Sequence, residues 1–254
     1  MDRNSNLYTI LFSVIIVTIS TLLLVLAVVL LKPYQEKNIR QEKMADILYT
    51  IGLDKDALAA KAAKDGNKLN YEQIEKYFNL YCKEQLTLKY DGSIDKNVKA
   101  FDVNLKPELK KDLKEQIYPV YVAEVEGKKY YVIPLRGKGL WDAIWGYIAL
   151  GQDFNTVKGI KFGHKGETPG LGAEITKKWF EEEFIGEKIQ DENGVFKGIS
   201  VFKGNKDPKN LDKQDNEVDA ISGATLTGDG ITDMIKERIE HYTPFFNKIK
   251  EQKK

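Results

Sequence analysis

The segment Asp219-Ala220-Ile221-Ser222-Gly223-Ala224-Thr225-Leu226-Thr227 sets three hydroxyls close together, directly ahead of a helical pattern. Hydroxyls in that position can serve two ends. They can cap the helix by accepting hydrogen bonds from its first N–H groups. They can also mark a phosphate site, because free N–H groups and the helix dipole favour an anion there, and small residues such as Gly223 and Ala224 allow close approach. Ser222, Thr225 and Thr227 are candidates for either role, and the roles need not compete. Two glycine-rich segments stand upstream. Arg136-Gly137-Lys138-Gly139-Leu140-Trp141 follows a strand pattern. It reads as a tight turn using positive φ with Trp141 in the core, or as a loop against a ligand. Gly166-Glu167-Thr168-Pro169-Gly170-Leu171-Gly172 reads likewise as a Pro-Gly turn or a ligand loop. Neither is a dinucleotide fingerprint, since no G-x-G-x-x-G follows a strand and opens a helix, and no Walker loop is present. A nicotinamide site built by this chain is not expected. His164 is placed to act as a base, but no G-x-S-x-G elbow accompanies it, so a hydrolase built on Ser222 finds little support. His241 reads as a surface or packing histidine.

The rest of the composition narrows the chemistry. Among 254 residues, 39 Lys and Arg balance 38 Asp and Glu, for a formal charge of +1. That balance gives no basic footprint for nucleic acid. A hydrophobic share of 42% is enough for a real core. One cysteine, Cys82, and two histidines cannot assemble a zinc, haem or iron–sulfur site alone. A disulfide within the chain is impossible. Any redox chemistry must therefore come from an organic cofactor.

The elements that position these segments follow from hydropathy and period. No charged residue lies between Arg3 and Lys32, and Leu7 to Leu31 is almost wholly apolar. At ~1.5 Å per helical residue that stretch exceeds a ~30 Å hydrocarbon core, so a retained single-span anchor is expected rather than a cleaved signal peptide. Lys32, Lys37, Arg40 and Lys43 follow it, which favours a cytoplasmic C-terminal side by charge alone. Residues 35–81 carry apolar positions at helical spacing (Ile39, Met44, Ile47, Leu48, Leu58, Ile74, Tyr77, Phe78), read as an exposed stalk or cap. Leu86 to Glu115 reads as loops and short elements. Strand patterns at 118–125 and 129–135 flank Glu126-Gly127-Lys128 as a hairpin, and 145–150 with 156–162 form a second pair. A short helix is expected over 175–184, with Glu181-Glu182-Glu183 as its solvated face. A strand is expected over 195–202, and a helix over 230–242 with Ile231, Met234, Ile235 and Ile239 inward. The expected domains are an anchor (1–34), a helical stalk or cap (35–116), an α+β domain (117–245) with antiparallel hairpins and a C-terminal helix, and a charged tail (246–254).

Asp219–Thr225 resembles the flavinylation motif D-x-x-[S/T]-G-A-T of FMN-binding domains. With G-K-G-L-W, G-E-T-P-G-L-G and W-F-x-x-x-F-I-G-x-K-I (Trp179 to Ile189), in that order, the chain is similar to the C subunit of the sodium-translocating NADH:quinone oxidoreductase. The likeness covers about residues 117–242 plus the single span. The related G subunit of the Rnf complex shares E-T-P-G-L-G and G-A-T-x-T but lacks G-K-G-L-W. A free-standing FMN carrier, or a sensor whose Ser/Thr turn is only a cap, are the other readings. The resemblance implies FMN joined to Thr225 by a phosphoester. It implies a pocket drawn from Ser222, Gly223, Ala224, Thr227 and Asp219, from Gly139, Leu140 and Trp141, and from Glu167, Thr168, Leu171 and Gly172. It further implies one-electron relay within a sodium-exporting complex, with membrane flavin and iron–sulfur subunits as partners and a flavin transferase during maturation. The domain would then lie outside the cytoplasmic membrane, against the charge rule.

Overall fold

The computed structural model describes residues 6–204, 207 and 210–252. Arg3, part of the polar loop (205, 206, 208, 209) and the end of the tail (253, 254) lie outside the described residues. The chain divides into two units, 1–43 and 44–254. Helix α1 (Asn6–Thr50) contains the apolar segment, whose side chains are exposed from Thr9 to Leu31. It is long and apolar enough to cross a membrane.

The second unit is built on one antiparallel meander. Strands β1 (Cys82–Leu88), β2 (Tyr118–Val125), β3 (Lys128–Lys138), β4 (Ala143–Leu150) and β5 (Val157–His164) pair in chain order. Both expected hairpins form. Glu126 and Gly127, at φ 51° and 74°, make the tight turn between β2 and β3 that matches strand twist. The end of strand β1, from Leu86, falls where loops and short elements are expected. The strand's ladder partner is β2, joined at its end only by the isolated Leu88–Ile94 bridge, and it carries Lys83, Glu84 and Gln85 outward, so its first half lacks the apolar alternation that marks a strand.

Alternate residues of each strand feed opposite cores, as the pleat requires. Val120, Val122, Tyr131, Ile133, Leu135 and Ile148 join the larger core. Tyr121, Ala123, Val132 and Ala149 join a second core on the other face, completed by Met44, Ile47 and Leu48, by Leu58 of α2 (Lys55–Lys64) and by Ile74, Tyr77 and Phe78 of α3 (Tyr71–Tyr81). The helical stretch from Met44 onward is thus not an exposed stalk. It covers a sheet whose second face is apolar. A short helix α4 (Leu105–Glu108) lies in the crossing between β1 and β2.

On the first face, a 3-10 turn (Gly172–Thr176) leads into α5 (Lys178–Glu183). Glu181 is not on a solvated face. It is buried, and its Oε1 accepts from Lys161 Nζ at 2.9 Å and from the Phe162 N–H at 3.0 Å. The strand expected over 195–202 shrinks to β6 (Ser200–Phe202), paired in parallel with β7 (Glu217–Asp219). Helix α6 (Thr225–Glu240) starts ahead of its apolar pattern and buries Ile231, Met234, Ile235 and Ile239. Helix α7 (Thr243–Gln252) follows and buries Phe245 and Phe246. Phe246 stacks on Phe154 with ring centroids 4.6 Å apart.

Candidate functional site

Three segments distant in sequence meet where β3 ends, β5 ends and α6 begins. Close backbone packing brings them together. A Cβ at Gly230 of α6 would collide with the Lys138 carbonyl oxygen, and one at Gly137 would lie 2.7 Å from Met234 Cβ. Gly137 and Gly139 do not have positive φ, so the turn-glycine reading of that segment is corrected: they are glycines because helix and carboxylate press on the strand end. Gly170 and Gly223 do sit at φ 76°, where a side chain would be strained.

The Glu167 carboxylate is the hub. Its Oε2 accepts from the Thr227 hydroxyl at 2.7 Å, and its Oε1 accepts from the Trp141 N–H at 3.0 Å. A Cβ on Gly139 would stand 2.6 Å from Oε1, and a Cβ on Gly172 would stand 2.5 Å from both Oε2 and Thr227 Oγ1. Glu167 is 4% exposed and Thr227 1%. Burial alone would raise the Glu167 pKa. The Thr227 hydroxyl and the N–H groups of Trp141, Asp142 and Leu140 outweigh it, so the carboxyl is held below its ordinary value. The Glu167 N–H donates to His164 Nδ1 at 3.2 Å, so that nitrogen is an acceptor rather than a free base. His241 packs its ring on Tyr118.

The surface of the site differs in kind. Thr225 is exposed at the first turn of α6 and Ser222 is exposed beside it. None of the three hydroxyls caps the helix. Ala224 holds the cap position, and no side chain bonds the helix start. A hydroxyl or carboxylate cap is the usual arrangement. Without one, the first N–H groups of α6 keep their capacity for an outside acceptor. Around this start lie the apolar side chains of Leu140, Trp141, Leu171 and Leu226, all substantially exposed. Trp141, which a simple turn would send into the core, is 68% exposed, and its Nε1–H donates to Thr168 Oγ1 at 3.2 Å. Leu171 Cδ2 lies 2.7 Å from where a Gly223 Cβ would be, so the two loops touch. Asp219 ends β7, and its carboxylate makes no hydrogen bond among the described residues. Of the expected site residues, the structure brings the two glycine loops and Ser222–Thr227 together. Gly137, Gly230 and His164 belong to the same assembly through their packing or bonding, and only the spacing of the two glycines in a strand end and a helix start hinted at the first two.

The arrangement suits a phosphorylated, flat, apolar group. A helix start without a cap accepts a phosphate. Gly223, without a side chain, opens the approach to it. Exposed Leu and Trp side chains offer contacts for a ring system. FMN has that composition, so the residues present fit it. Among the described residues no His, Cys, Asp and Glu cluster could hold a metal ion, and burial pushes the Cys82 thiol up to about 12.

Comparison with known proteins agrees with this reading. Residues 139–240 match the family model described as an FMN-binding domain. The chain is 31% identical to the C subunit of the Na(+)-translocating NADH-quinone reductase of Neisseria meningitidis serogroup A, over 98% of this chain and 96% of that one. It is 30% identical to the same subunit of Pseudomonas aeruginosa, over 92% and 91% of the two chains. The crystal structure of the corresponding subunit from Parabacteroides distasonis superposes with a TM-score of 0.71 at 34% identity, covering 85% of this chain and 96% of that chain. The α+β architecture, the exposed apolar helix and the near full-length identity all point one way: this chain belongs to the family formed by the C subunit of the Na(+)-translocating NADH-quinone reductase.

Proposed function

We propose that this protein is a membrane-anchored flavoprotein subunit of a sodium-translocating NADH:quinone oxidoreductase, with FMN joined covalently to the Thr225 oxygen through its phosphate. FMN, when bound, supplies the one-electron chemistry that the side chains lack. The chain supplies position. The observation that carries the assignment is the contrast between two neighbouring threonines. Thr227 is buried with its hydroxyl committed to Glu167, whereas Thr225 is exposed on an uncapped helix start. A phosphoester needs a reachable hydroxyl, and a flavin transferase needs room to deliver the nucleotide. Thr225 meets both needs.

In this reading the first N–H groups of α6 hold the phosphate and Gly223 keeps the path clear. Leu140, Trp141 and Leu171 lie against the ring, and Thr168 orients the Trp141 indole. Linkage through phosphate leaves the ring system electronically unmodified and prevents loss of the cofactor. The apolar segment of α1 anchors the chain in the cytoplasmic membrane with the second unit on its outer face, where the transferase works. Electrons pass through this protein one at a time, between membrane flavin and iron–sulfur subunits of the complex.

The test is the intact mass of the chain purified from a host containing the transferase. The expected result is the mass of one FMN less water above the sequence mass, with fragmentation placing it on Thr225. The Thr225→Ala chain carries no in-gel flavin fluorescence, and Thr227→Ala retains it. Flavin phosphate on Thr227 would overturn the residue assignment, and an unmodified native chain would overturn the covalent reading.

A further inference from the structure

Glu167 is an expensive residue for its place. It is 4% exposed, and every group that bonds its carboxylate is neutral: the Thr227 hydroxyl and backbone N–H groups. Among the described residues it makes no ion pair. Lys165, two residues before it, is turned to Asp142 at 2.7 Å. Taking an ionised carboxylate out of water without a counter-charge is strongly unfavourable before its hydrogen bonds are counted. The bonding pattern does not require that charge. A glutamine would accept the Trp141 N–H on its carbonyl oxygen and donate its amide to Thr227 Oγ1, with the threonine hydroxyl reversed. Held below its ordinary pKa, the carboxylate stays ionised at neutral pH. Uncompensated buried charge of this kind is characteristic of functional sites.

Resting on the FMN reading above, we propose that Glu167 is the fixed anion that sets the electron affinity of the cofactor site. Its carboxylate is tied to both loops and to the first turn of α6, which together make that site. Uptake of one electron by the bound flavin, from a one-electron donor of lower potential, adds negative charge beside an existing one. Glu167 takes up no proton in the step, so the repulsion is not relieved, and the site donates its electron onward more readily than a neutral pocket would. Low local dielectric strengthens the effect.

The experiment is mediated spectroelectrochemistry on the full flavinylated chain in detergent, with intact mass confirming the flavin in each variant. Glu167→Gln removes the charge and keeps the shape. It is expected to favour the reduced form at least tenfold at fixed potential, a positive shift of about 59 mV for one electron. Glu72→Gln removes an exposed charge from α3, on the other face of the sheet, and its midpoint stays near that of the native chain. Equal midpoints for Glu167→Gln and the native chain, or equal shifts in both variants, would overturn the proposal. Should Glu167→Gln take up no flavin, the native chain decides. Its reduced-minus-oxidised infrared spectrum, with glutamate labelled by carbon-13, should show a displaced carboxylate band that changes in Glu167→Asp. No labelled band, or a protonated carboxyl band appearing on reduction, would overturn it. A native chain without flavin would instead refute the underlying FMN reading.

Discussion

Thr227→Val is the substitution that most directly separates fold from function in this protein. Valine matches threonine in shape and branching, so the change deletes one hydroxyl from a position that is 1% exposed. That hydroxyl donates to Glu167 Oε2 at 2.7 Å. A hydrogen bond to a charged group is worth about 1.5–3 kcal/mol net, and its loss leaves a buried carboxylate oxygen without a donor. Gly172 presses on the same two oxygens, so the pocket has little freedom to admit a replacement water. A loss of about 2–3 kcal/mol is therefore expected. For a unit the size of residues 44–254, each kcal/mol moves the melting temperature by about 2–4 °C, so the fall should be about 4–12 °C. Thr225→Val provides the control, since Thr225 is exposed and its hydroxyl is outside every hydrogen bond among the described residues. Its effect should stay within about 0.5 kcal/mol. The assay is thermal unfolding of both variants made without the transferase, so that cofactor binding cannot contribute. With the transferase present the pattern inverts: the destabilised Thr227→Val chain fluoresces, and the stable Thr225→Val chain does not. Equal melting temperatures for the two variants would refute the assignment of Thr227 as the buried strut.

Phe246→Ala should cost about 3–5 kcal/mol, because the ring is buried against Phe154 and Tyr242; a denaturant midpoint unchanged from that of the native chain would mean that α7 is not part of the core. Glu187 is fully buried, and burial raises its pKa to about 7 although Lys213 Nζ lies 3.1 Å away. A carboxyl raised in the folded state binds its proton more tightly there than when unfolded, so stability falls as pH rises from the unfolded value of about 4.5 through 7. Glu187→Gln should melt higher than the native chain at about pH 8 and lose that advantage at about pH 5, as read by parallel melts at the two values.

Much of the molecule was legible in one dimension because the determining forces are local. The uncharged run from Leu7 to Leu31 specifies a span-length helix whatever surrounds it. Glu126-Gly127 between two apolar alternations specifies a hairpin, since few residue pairs accept positive φ in succession. Three hydroxyls ahead of a helical period locate a helix start and its capacity for an anion. Tertiary packing decided the rest, by setting against one another residues that are far apart along the chain. Sequence spacing could not distinguish Thr225 from Thr227 by physics alone. The difference arises because Glu167, sixty positions earlier, withdraws one hydroxyl from solvent. Glycines 137, 139, 172 and 230 answer to close approach between strand end, loop and helix, which no local turn rule encodes. The stretch from Met44 to Tyr81 has a helical period that would serve an exposed stalk equally well. It becomes a second core only because the sheet presents Tyr121, Ala123, Val132 and Ala149 on its other face. Glu181, one of three adjacent glutamates, is buried because Lys161 and the Phe162 N–H meet it there. Charge and hydropathy along the chain state what each residue tolerates, and only the packed neighbours determine which of those tolerances is used.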